Sequence, residues 1–373
     1  MRRLISLFFL GCITVGGLIS QEFSDPVAPV GDKNLTVPEY VTPILDYWIR
    51  DPFIMLGPDD TYYMVATTAD PNREFPGNIH CWDYNDGLYM WKSEDLKNWD
   101  EMGLVWSFDD DAADWQKKPR PVKPGAKTNI GDPLDSIFRA VWAPELHYIK
   151  DQWLLVACIN RKGGSFILKS TSGKPEGPYV NIEGNKNGPI YKNIDLSLFE
   201  DDNGDVYAVA HNHYIAKMKN DLSGLAEDYR KIKETPYNPE PYIEGIYIIK
   251  HNGKYQLLQT VWSLAKDDGT YTYIKTPETK NKFHSYDVVV AESDNIYGPY
   301  GPRYTAIQQG GHNNVFADKN GDLWSTLFFN PKGEMAKQFP VTCRMAIVAV
   351  KFEDGKLMPD HKRTKKFYKG LKK

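Results

Sequence analysis

Cysteine is scarce in this chain, and so is any excess of charge of one sign. Only four cysteines occur among 373 residues, and Cys12 lies in an N-terminal segment that we expect to be removed. The remaining Cys81, Cys158 and Cys343 cannot all pair and lie far apart, which excludes a disulfide scaffold. The formal net charge is −4, so no general basic field exists to attract nucleic acid or an anionic membrane.

An apolar run at the N-terminus has the pattern of a secretory signal. Two arginines precede the apolar stretch at 4–19, and small or polar residues follow it. Because no anchoring pattern comes next, the run is typical of a cleavable signal peptide and not of a membrane-spanning helix. We therefore expect a signal at 1–20 and one mature domain at 21–373. The mature protein is expected to be secreted or periplasmic, without membrane association.

Sustained helical periodicity is missing along the chain. Instead, short runs rich in Val, Ile, Tyr and Trp alternate with Gly, Asn, Asp and Pro, which is the pattern of an all-β protein. Aromatic residues make up 13% of the chain, with 23 Tyr and 10 Trp. Such a content suits many short strands, and it also suits surfaces that stack on sugars.

One strand–turn–strand motif recurs five times. The copies are DPFIMLGPDDTYYMVAT, WAPELHYIKDQWLLVAC, DLSLFEDDNGDVYAVAH, EGIYIIKHNGKYQLLQT and HNNVFADKNGDLWSTLF. Three copies contain Asn-Gly, a strong hairpin signal, and further strand-like runs follow the hairpins. We therefore predict a five-bladed β-propeller with about four strands in each blade. A jelly roll or a sandwich is the alternative, but neither accounts for five similar hairpins.

Equivalent positions before the five turns carry acidic, aromatic or imidazole side chains. Stepping back nine residues from Asp60, Asp151, Gly204, Gly253 and Gly321 reaches Asp51, Trp142, Asp195, Glu244 and His312. In a propeller, such positions near the start of the inner strands surround the central funnel. Apolar residues follow each of them, so we interpret the set as a functional site and not as a chance column of surface residues.

The five blocks resemble glycoside hydrolase family 43. The matching segments, in the order of the family, are IRDPFIM at 49–55, VWAPELHYI at 141–149, NIDLSLFEDDNGDVY at 193–207, IEGIYIIKHNGKY at 243–255 and GGHNNVF at 310–316. Together they span almost the whole mature chain. Members of this family are five-bladed propellers that cleave glycosides with inversion, mostly releasing arabinose or xylose from plant polysaccharides.

The resemblance implies roles for individual residues. Asp51 matches the general base that activates water, Glu244 matches the general acid, and Asp195 matches the carboxylate that orients this acid and tunes its pKa. His312 matches a channel histidine that in some members helps hold a calcium ion or a water. A calcium ion at His312 therefore stays open, although no cofactor is expected to be required. Arg344 resembles a late-blade arginine that reaches the sugar. The implied partner is an oligosaccharide or polysaccharide, and the implied state is a monomer.

Three acids on separate blades also suit glycoside hydrolysis on chemical grounds. One carboxyl must give a proton to the leaving oxygen, and in an inverting enzyme a second, about 6.5–9.5 Å away, activates water on the opposite face. A third carboxylate close to the acid raises the pKa of that acid by like-charge repulsion. Together with the resemblance, which implies arabinose or xylose as the released sugar, this chemistry leads us to predict an α-L-arabinofuranosidase or β-xylosidase that acts on terminal pentoses.

Several other side chains have a structural interpretation beside a functional one. Trp142 either stacks on a sugar or fills an inner strand, and Trp262 either lines the pocket or lies in the core. Glu145 lies three residues past a ring position, which makes it a weaker catalytic candidate. His211 and His213 alternate, which predicts that they share one strand face, but no third metal ligand is evident.

Two polar segments are interpreted as connections. The stretch 106–137 is long, polar and rich in proline, which is typical of a rim loop. The run EDDNGD at 200–205 lacks the glycine spacing of an EF-hand calcium loop. We predict a hairpin turn there, with Asp201, Asp202 and Asp205 solvated.

Two alternative functions stay open. Fructan-cleaving enzymes also use five blades and three acids, through a covalent aspartyl intermediate. Their first block is built on Asn-Asp-Pro, whereas Arg50 precedes Asp51 here. The second alternative is a glycan-binding propeller without catalysis, and the presence of all three acids argues against it.

Overall fold

In the computed structural model, the chain forms five antiparallel sheets that are the blades of a β-propeller. The structure describes residues 34–68, 85–118, 120–121, 125, 136–137, 140–160, 163–233, 243–266, 271–272, 285–329 and 343–371. The predicted signal peptide and Cys81 lie outside these residues. The predicted fold class is confirmed.

Blades 1 and 2 are four-stranded meanders. Blade 1 consists of β1 to β4, which span Arg50–Leu56, Tyr62–Thr67, Gly87–Ser93 and Asp100–Ser107. The connection to blade 2 contains a short helix and a two-stranded ribbon, namely α1 (Asp114–Lys117), β5 (Arg120–Pro121) and β6 (Ser136–Ile137). Blade 2 consists of β7 to β10, which span Val141–Ile149, Gln152–Ile159, Gly164–Ser170 and Tyr179–Asn181. A single 3₁₀ turn follows at Glu183–Asn185.

Blades 3 to 5 repeat this arrangement. Blade 3 consists of β11 to β14, which span Leu196–Glu200, Val206–Ala210, Tyr214–Lys217 and Arg230–Lys231. Blade 4 consists of β15 to β19, which span Ile243–His251, Lys254–Ala265, Tyr271–Thr272, Ser285–Ser293 and Tyr304–Ile307. Blade 5 consists of β20 to β23, which span Val315–Ala317, Leu323–Phe329, Arg344–Glu353 and Lys356–Pro359. The helix α2 (His361–Lys369) follows blade 5.

The five hairpin turns predicted from the sequence are present, one between the first two strands of each blade. Every predicted turn residue has a positive φ: 60° at Asp60, 58° at Asp151, 79° at Gly204, 78° at Gly253 and 79° at Gly321. Glycine adopts this conformation without steric cost, and aspartate tolerates it better than most residues. The five copies therefore share a positive-φ turn residue as well as one sequence pattern, although the turn is five residues long in blades 1, 3 and 5 and two residues long in blades 2 and 4.

Large hydrophobic clusters fill the junctions between neighbouring blades. Between blades 1 and 2, Leu88 belongs to the same cluster as Leu155. Between blades 5 and 1, Ile54 belongs to the same cluster as Trp324 and Ile347, which closes the ring. Because each blade packs on both faces, all six residues of β2 are buried. This packing explains why the strand segments read as apolar runs and lack a simple polar alternation.

Within the described part of the chain, blades 5 and 1 are joined without the exchange of a strand. The segment before β1 runs beside blade 5, where the Ile44 N–H donates to the Met345 carbonyl at 3.0 Å. The Asn314 side chain bonds both backbone groups of Ile54, accepting from its N–H at 3.0 Å and donating to its carbonyl at 2.7 Å. These contacts fix the start of β1, and they therefore fix the position of the residues that precede it at the funnel.

The helix α2 covers the same junction from outside. The Asp360 side chain accepts from the Arg363 N–H at 3.0 Å and caps the helix. Phe367 packs on Trp324 of blade 5 at 5.2 Å between ring centroids, and the Lys97 ammonium of blade 1 lies 5.5 Å from the Phe367 ring. Among the described residues, no helix is long and apolar enough to cross a membrane.

Candidate active site

Three inner strands begin with a β-bulge. The pairing register shifts after Arg50 in β1, after Trp142 in β7 and after Glu244 in β15. The next residue in each strand has a positive φ, which is 51° at Asp51, 43° at Ala143 and 51° at Gly245. Bulges change the direction of side chains and are frequent beside active sites. Here each bulge lies at the head of its blade and directs the residue before the positive-φ position, namely Arg50, Trp142 or Glu244, toward the site.

The bulges also show which residues are structurally equivalent. Stepping nine residues back from the turn reaches the positive-φ residue in blade 1 and in blade 3, where φ is 52° at Asp195. In blades 2 and 4 the same step reaches the residue before it, namely Trp142 and Glu244. Arg50 is therefore the blade 1 counterpart of Trp142 and Glu244. The nine-residue interval from the turn does not reach Arg50, although Arg50 directly precedes Asp51 in the sequence.

Asp51 is buried and held through both carboxylate oxygens. Its Oδ2 accepts from the Thr67 hydroxyl at 2.9 Å, and that hydroxyl accepts from the Ala143 N–H of blade 2 at 2.7 Å. Its Oδ1 lies 3.4 Å from Arg50 Nε and 3.6 Å from His312 Nδ1. A carboxylate with neighbours on every side keeps one orientation, and the Thr67 bridge ties this orientation to the junction of blades 1 and 2.

Asp195 is fixed beside the residue that follows Glu244. Its side chain is 7% exposed, and its Oδ2 accepts from the Gly245 N–H at 3.0 Å. His211 Nδ1 lies 3.8 Å from the same oxygen, and the His211 N–H donates to the Asp195 carbonyl at 2.9 Å. The structure therefore brings Asp195 and Glu244 together through one peptide group.

Glu244 is half-buried and bonds to a tyrosine of the same blade. Its Oε2 accepts from the Tyr286 hydroxyl. The Tyr286 ring stacks on Trp262 with 4.1 Å between centroids and an interplanar angle of 16°. Although burial opposes it, the nearby charges of Asp51, Tyr286, Cys343 and Glu244 raise the pKa of Arg50, which stays a cation in this part of the site. Tyr286 and Arg50 are site residues that the sequence alone did not indicate.

His312 lies among carboxylates. Burial alone would lower the pKa of His312, but the negative charges of Asp195, Asp51, Glu244 and Glu145 outweigh it and raise the pKa above 6.5. The imidazole is therefore stabilised as a cation that balances the acids around it. Glu145 itself bonds to a histidine two residues further along β7, with 2.8 Å between Glu145 Oε2 and the ring nitrogen.

The remaining predicted contact residues lie near the site with different degrees of burial. Trp142 and Trp262 are both partly exposed, so neither is a fully buried core residue. Arg344 is 4% exposed, and its Nε and Nη2 donate to Asp46 at 3.1 and 2.8 Å. The Arg344 Nη1 has no hydrogen-bond partner within the described residues. A buried guanidinium N–H without a partner is costly unless a ligand accepts from it.

The described residues do not form a protein-ligated metal site. Within the ranges given above, no three His, Cys, Asp or Glu side chains converge at metal distance. A calcium ion at His312 stays a prediction, and no chemical step is assigned to it.

Two sequence interpretations need correction. His211 and His213 do not share a strand face, because β12 ends at Ala210 and both histidines lie in the turn that follows. Asp201 is not a solvated turn residue. Its side chain is 9% exposed and accepts from Lys250 Nζ and from the Tyr255 hydroxyl, each at 2.6 Å, which links blade 3 to blade 4.

Asp202 and Asp205 are more exposed than Asp201, at 81% and 31%, and they pair with Lys250 and Lys217 respectively, each at 2.7 Å. The proposed rim loop is only partly described, and its described start contains α1. There, Trp115 Nε1 donates to the Asn185 carbonyl at 3.1 Å.

Comparison with known proteins agrees with this geometry. The sequence is similar over 249 residues to "Beta-D-galactofuranosidase xynD" of Aspergillus niger, with 26% identity, and the match covers 62% of this chain and 67% of that protein. The fold is similar to that of an endo-1,4-β-xylanase of Bacteroides thetaiotaomicron. That structure is 21% identical with a TM-score of 0.55, and the match covers 84% of this chain and 95% of the other.

A second structure from the same bacterium, an endo-arabinase, is 18% identical with a TM-score of 0.56. That match covers 86% of this chain and 100% of the endo-arabinase. The sequence profile of glycosyl hydrolases family 43 matches residues 40–357, most of the chain. The chain therefore belongs to glycosyl hydrolases family 43, and it is an O-glycosyl hydrolase whose substrate is a carbohydrate.

Proposed function

We propose that this chain is a secreted, inverting exo-glycosidase that releases a terminal pentose, arabinofuranose or xylose, from plant-type polysaccharide or oligosaccharide side chains. The observation that carries the proposal is the pair of differently held carboxyl groups at the heads of β1 and β15. Asp51 is buried and accepts hydrogen bonds, whereas Glu244 is half-exposed. Two carboxyl groups with different environments are what an acid and a base in one site require.

In this mechanism Asp51 is the general base. Its Oδ2 is engaged by Thr67, so Oδ1 is the oxygen that takes a proton from the attacking water. The same oxygen faces the Arg50 guanidinium at 3.4 Å and His312 Nδ1 at 3.6 Å. Attack from the face opposite the leaving group produces a sugar of inverted anomeric configuration.

Glu244 is the general acid that protonates the leaving glycosidic oxygen. Its partial exposure leaves room for the leaving group at the funnel mouth. Asp195 lies beside it and accepts from the Gly245 N–H, which belongs to the peptide group that follows Glu244. The Arg344 Nη1 and the partly exposed faces of Trp142 and Trp262 are the groups that would bind the sugar.

The choice of sugar rests on the relatives. The Aspergillus protein is named for β-D-galactofuranosides. α-L-Arabinofuranose has the ring configuration of β-D-galactofuranose and lacks one exocyclic carbon, so one furanoside pocket can serve both. The Bacteroides structures are described as a xylanase and an arabinase, which are enzymes of pentose polymers.

A substrate panel with product stereochemistry tests the proposal. Para-nitrophenyl α-L-arabinofuranoside, β-D-xylopyranoside and β-D-galactofuranoside are offered to the purified mature chain, and proton NMR records the first-formed anomer. We expect release from a pentoside with inversion. Retention of configuration would instead support the fructan-type covalent mechanism. Release of galactose alone would move the specificity to galactofuranosides, and sugar binding without release would support a glycan-binding protein.

Variants test the assigned roles. Glu244→Gln and Asp51→Asn are each expected to lower turnover of an oligosaccharide by about 100-fold or more. Asp202→Asn is the matched control, because it changes an exposed carboxylate in a turn. Near-normal turnover of Glu244→Gln would remove Glu244 as the acid.

We further propose export of a monomer that needs no metal for turnover. The surrounding carboxylates favour the cationic form of His312, which supports turnover without a metal ion at this position. Dialysis against EDTA, followed by assay with and without added calcium, should leave turnover unchanged. Restoration of lost activity by calcium would reverse this proposal.

N-terminal sequencing of the exported protein tests signal cleavage near residue 20.

A further inference from the structure

Tyr286 contacts Glu244 from a position that leaves its ring little freedom. It is 7% exposed, and its hydroxyl donates to Glu244 Oε2. Tyr286 on β18 is directly paired with Trp262 on β16, and the two rings stack at 4.1 Å. Its carbonyl accepts from the Gly311 N–H at 2.9 Å, which fixes the backbone next to His312. Ring, backbone and hydroxyl are therefore all held.

We propose that Tyr286 is a positioning residue that selects which oxygen of Glu244 transfers the proton. This inference rests on the proposed role of Glu244 as the general acid. Because Oε2 accepts from the tyrosine, Oε1 is the oxygen that carries the proton and faces the leaving group.

The same hydrogen bond has a second effect as the reaction proceeds. When the proton moves from Oε1 to the glycosidic oxygen, the bond between that oxygen and the anomeric carbon breaks and the carboxyl becomes a carboxylate. A hydrogen bond to a charged acceptor is stronger than one to a neutral acceptor, so the Tyr286 contact strengthens as negative charge develops. Interactions that strengthen in the transition state increase turnover and not merely binding.

The tyrosine is suited to stay a donor throughout the working pH range. Burial, followed by the charge of Glu244, raises the pKa of Tyr286 well above 10. The hydroxyl therefore keeps its proton and does not compete for the proton of the acid. The stacked Trp262 ring prevents the tyrosine from turning away when the leaving group departs.

Tyr286→Phe tests the inference, since it removes the hydroxyl and keeps the ring. Tyr255→Phe is the matched control, because Tyr255 is a buried tyrosine of the same blade whose hydroxyl donates to Asp201 at 2.6 Å, away from the acid. Both variants are compared with the unchanged enzyme on a para-nitrophenyl pentoside and on the methyl pentoside of the same sugar. Thermal unfolding midpoints check that each variant is folded.

The expected signature differs between the two substrates. On the methyl pentoside, whose poor leaving group needs the proton, Tyr286→Phe should lower kcat roughly tenfold or more with little change in KM. On the nitrophenyl pentoside the loss should be much smaller. The alkaline limb of kcat/KM should move to higher pH by about one unit, because the hydrogen bond favoured the ionised acid. Tyr255→Phe should leave the leaving-group dependence and the alkaline limb unchanged.

Two results separate failure of this inference from failure of the proposed function. If Glu244→Gln is inactive but Tyr286→Phe keeps the alkaline limb and loses equally on both substrates, Tyr286 has only a structural role. If Glu244→Gln remains fully active, the acid has been misassigned and the role of Tyr286 is overturned with it.

Discussion

Replacing His213 with asparagine is expected to remove an acid-dependent loss of stability. His213 is 9% exposed and accepts from Gln259 Nε2 through its Nδ1 at 2.8 Å. Arg303 Nη2 lies 3.3 Å from the same nitrogen, so protonation would place two cations in contact. Burial first, and then the charges of Arg303, Lys231 and His211, lower the pKa of His213 to about 2.

The magnitude follows from the difference between the folded and unfolded states. The unfolded histidine takes up a proton as pH falls through 6.5, whereas the folded one stays neutral until about pH 2. Its contribution to stability is therefore complete above pH 6.5 and is lost progressively as the pH falls. Between pH 6.5 and about 4.5, two pH units at 1.36 kcal/mol each correspond to a loss of about 2.7 kcal/mol.

Urea unfolding at pH 7.5 and 4.5 measures this effect. Asparagine keeps an acceptor for Gln259 and tolerates the φ of 64° at His213, but it does not titrate. The free energy of unfolding should fall between the two pH values by about 2.7 kcal/mol more in the parent than in His213→Asn. His251→Asn, on the hairpin of blade 4, is the control and should behave as the parent. An identical pH dependence in the parent and His213→Asn would refute the reasoning.

Three further changes probe the base, a blade junction and a buried thiol. Thr67→Val removes the hydroxyl that holds Asp51 and should lower kcat about tenfold, with Thr67→Ser close to the parent; a fully active Thr67→Val would contradict the bridge. Asp201→Asn breaks the Lys250 contact and should cost about 1–3 kcal/mol in urea unfolding at pH 7. Burial raises the pKa of Asp201, but the hydrogen bonds from Lys250 and Tyr255 outweigh it and lower the pKa. This contribution to stability is therefore present at neutral pH and is lost as the pH falls below 3.8, so that the difference between the parent and the variant should vanish in acid. Burial and nearby acids raise the pKa of the Cys158 thiol, so iodoacetamide should label it, by mass spectrometry, only after unfolding.

The repeat architecture could be predicted because each hairpin is specified by one short, continuous stretch of sequence. A hairpin needs a turn residue that accepts positive φ and two flanking strands, and both features occupy about fifteen consecutive residues. All five predicted turn residues have that conformation, from Asp60 to Gly321. The acids at the strand heads could be found because the distance from turn to head is almost constant along an inner strand.

The partners of those acids could not be found in this way, since they reach the site through pairing between strands. Thr67 contacts Asp51 from β2, and Tyr286 contacts Glu244 from β18. A constant spacing also cannot register a bulge, which inserts one residue into one strand only. Nor can it register the length of the hairpin turn, which is five residues (57–61) between β1 and β2 but two (252–253) between β15 and β16. Because blades 1 and 4 carry the same bulge, the turn length explains why the step of nine residues reached Glu244 but passed over Arg50, its counterpart in blade 1.

The role of the glycine that follows Glu244 is visible only in the three-dimensional structure, because Glu-Gly is a common dipeptide. Gly245 has a φ of 51°, and a Cβ atom there would lie 2.5 Å from His312 Cδ2. Its N–H is the donor that holds Asp195 at 3.0 Å. A larger residue would have to displace the imidazole, which lies 3.6 Å from Asp51, or rotate the peptide whose N–H holds Asp195. The absence of a side chain at this position therefore lets the imidazole, the two carboxyl groups and one peptide N–H occupy the same few ångströms, a condition that residue spacing alone does not reveal.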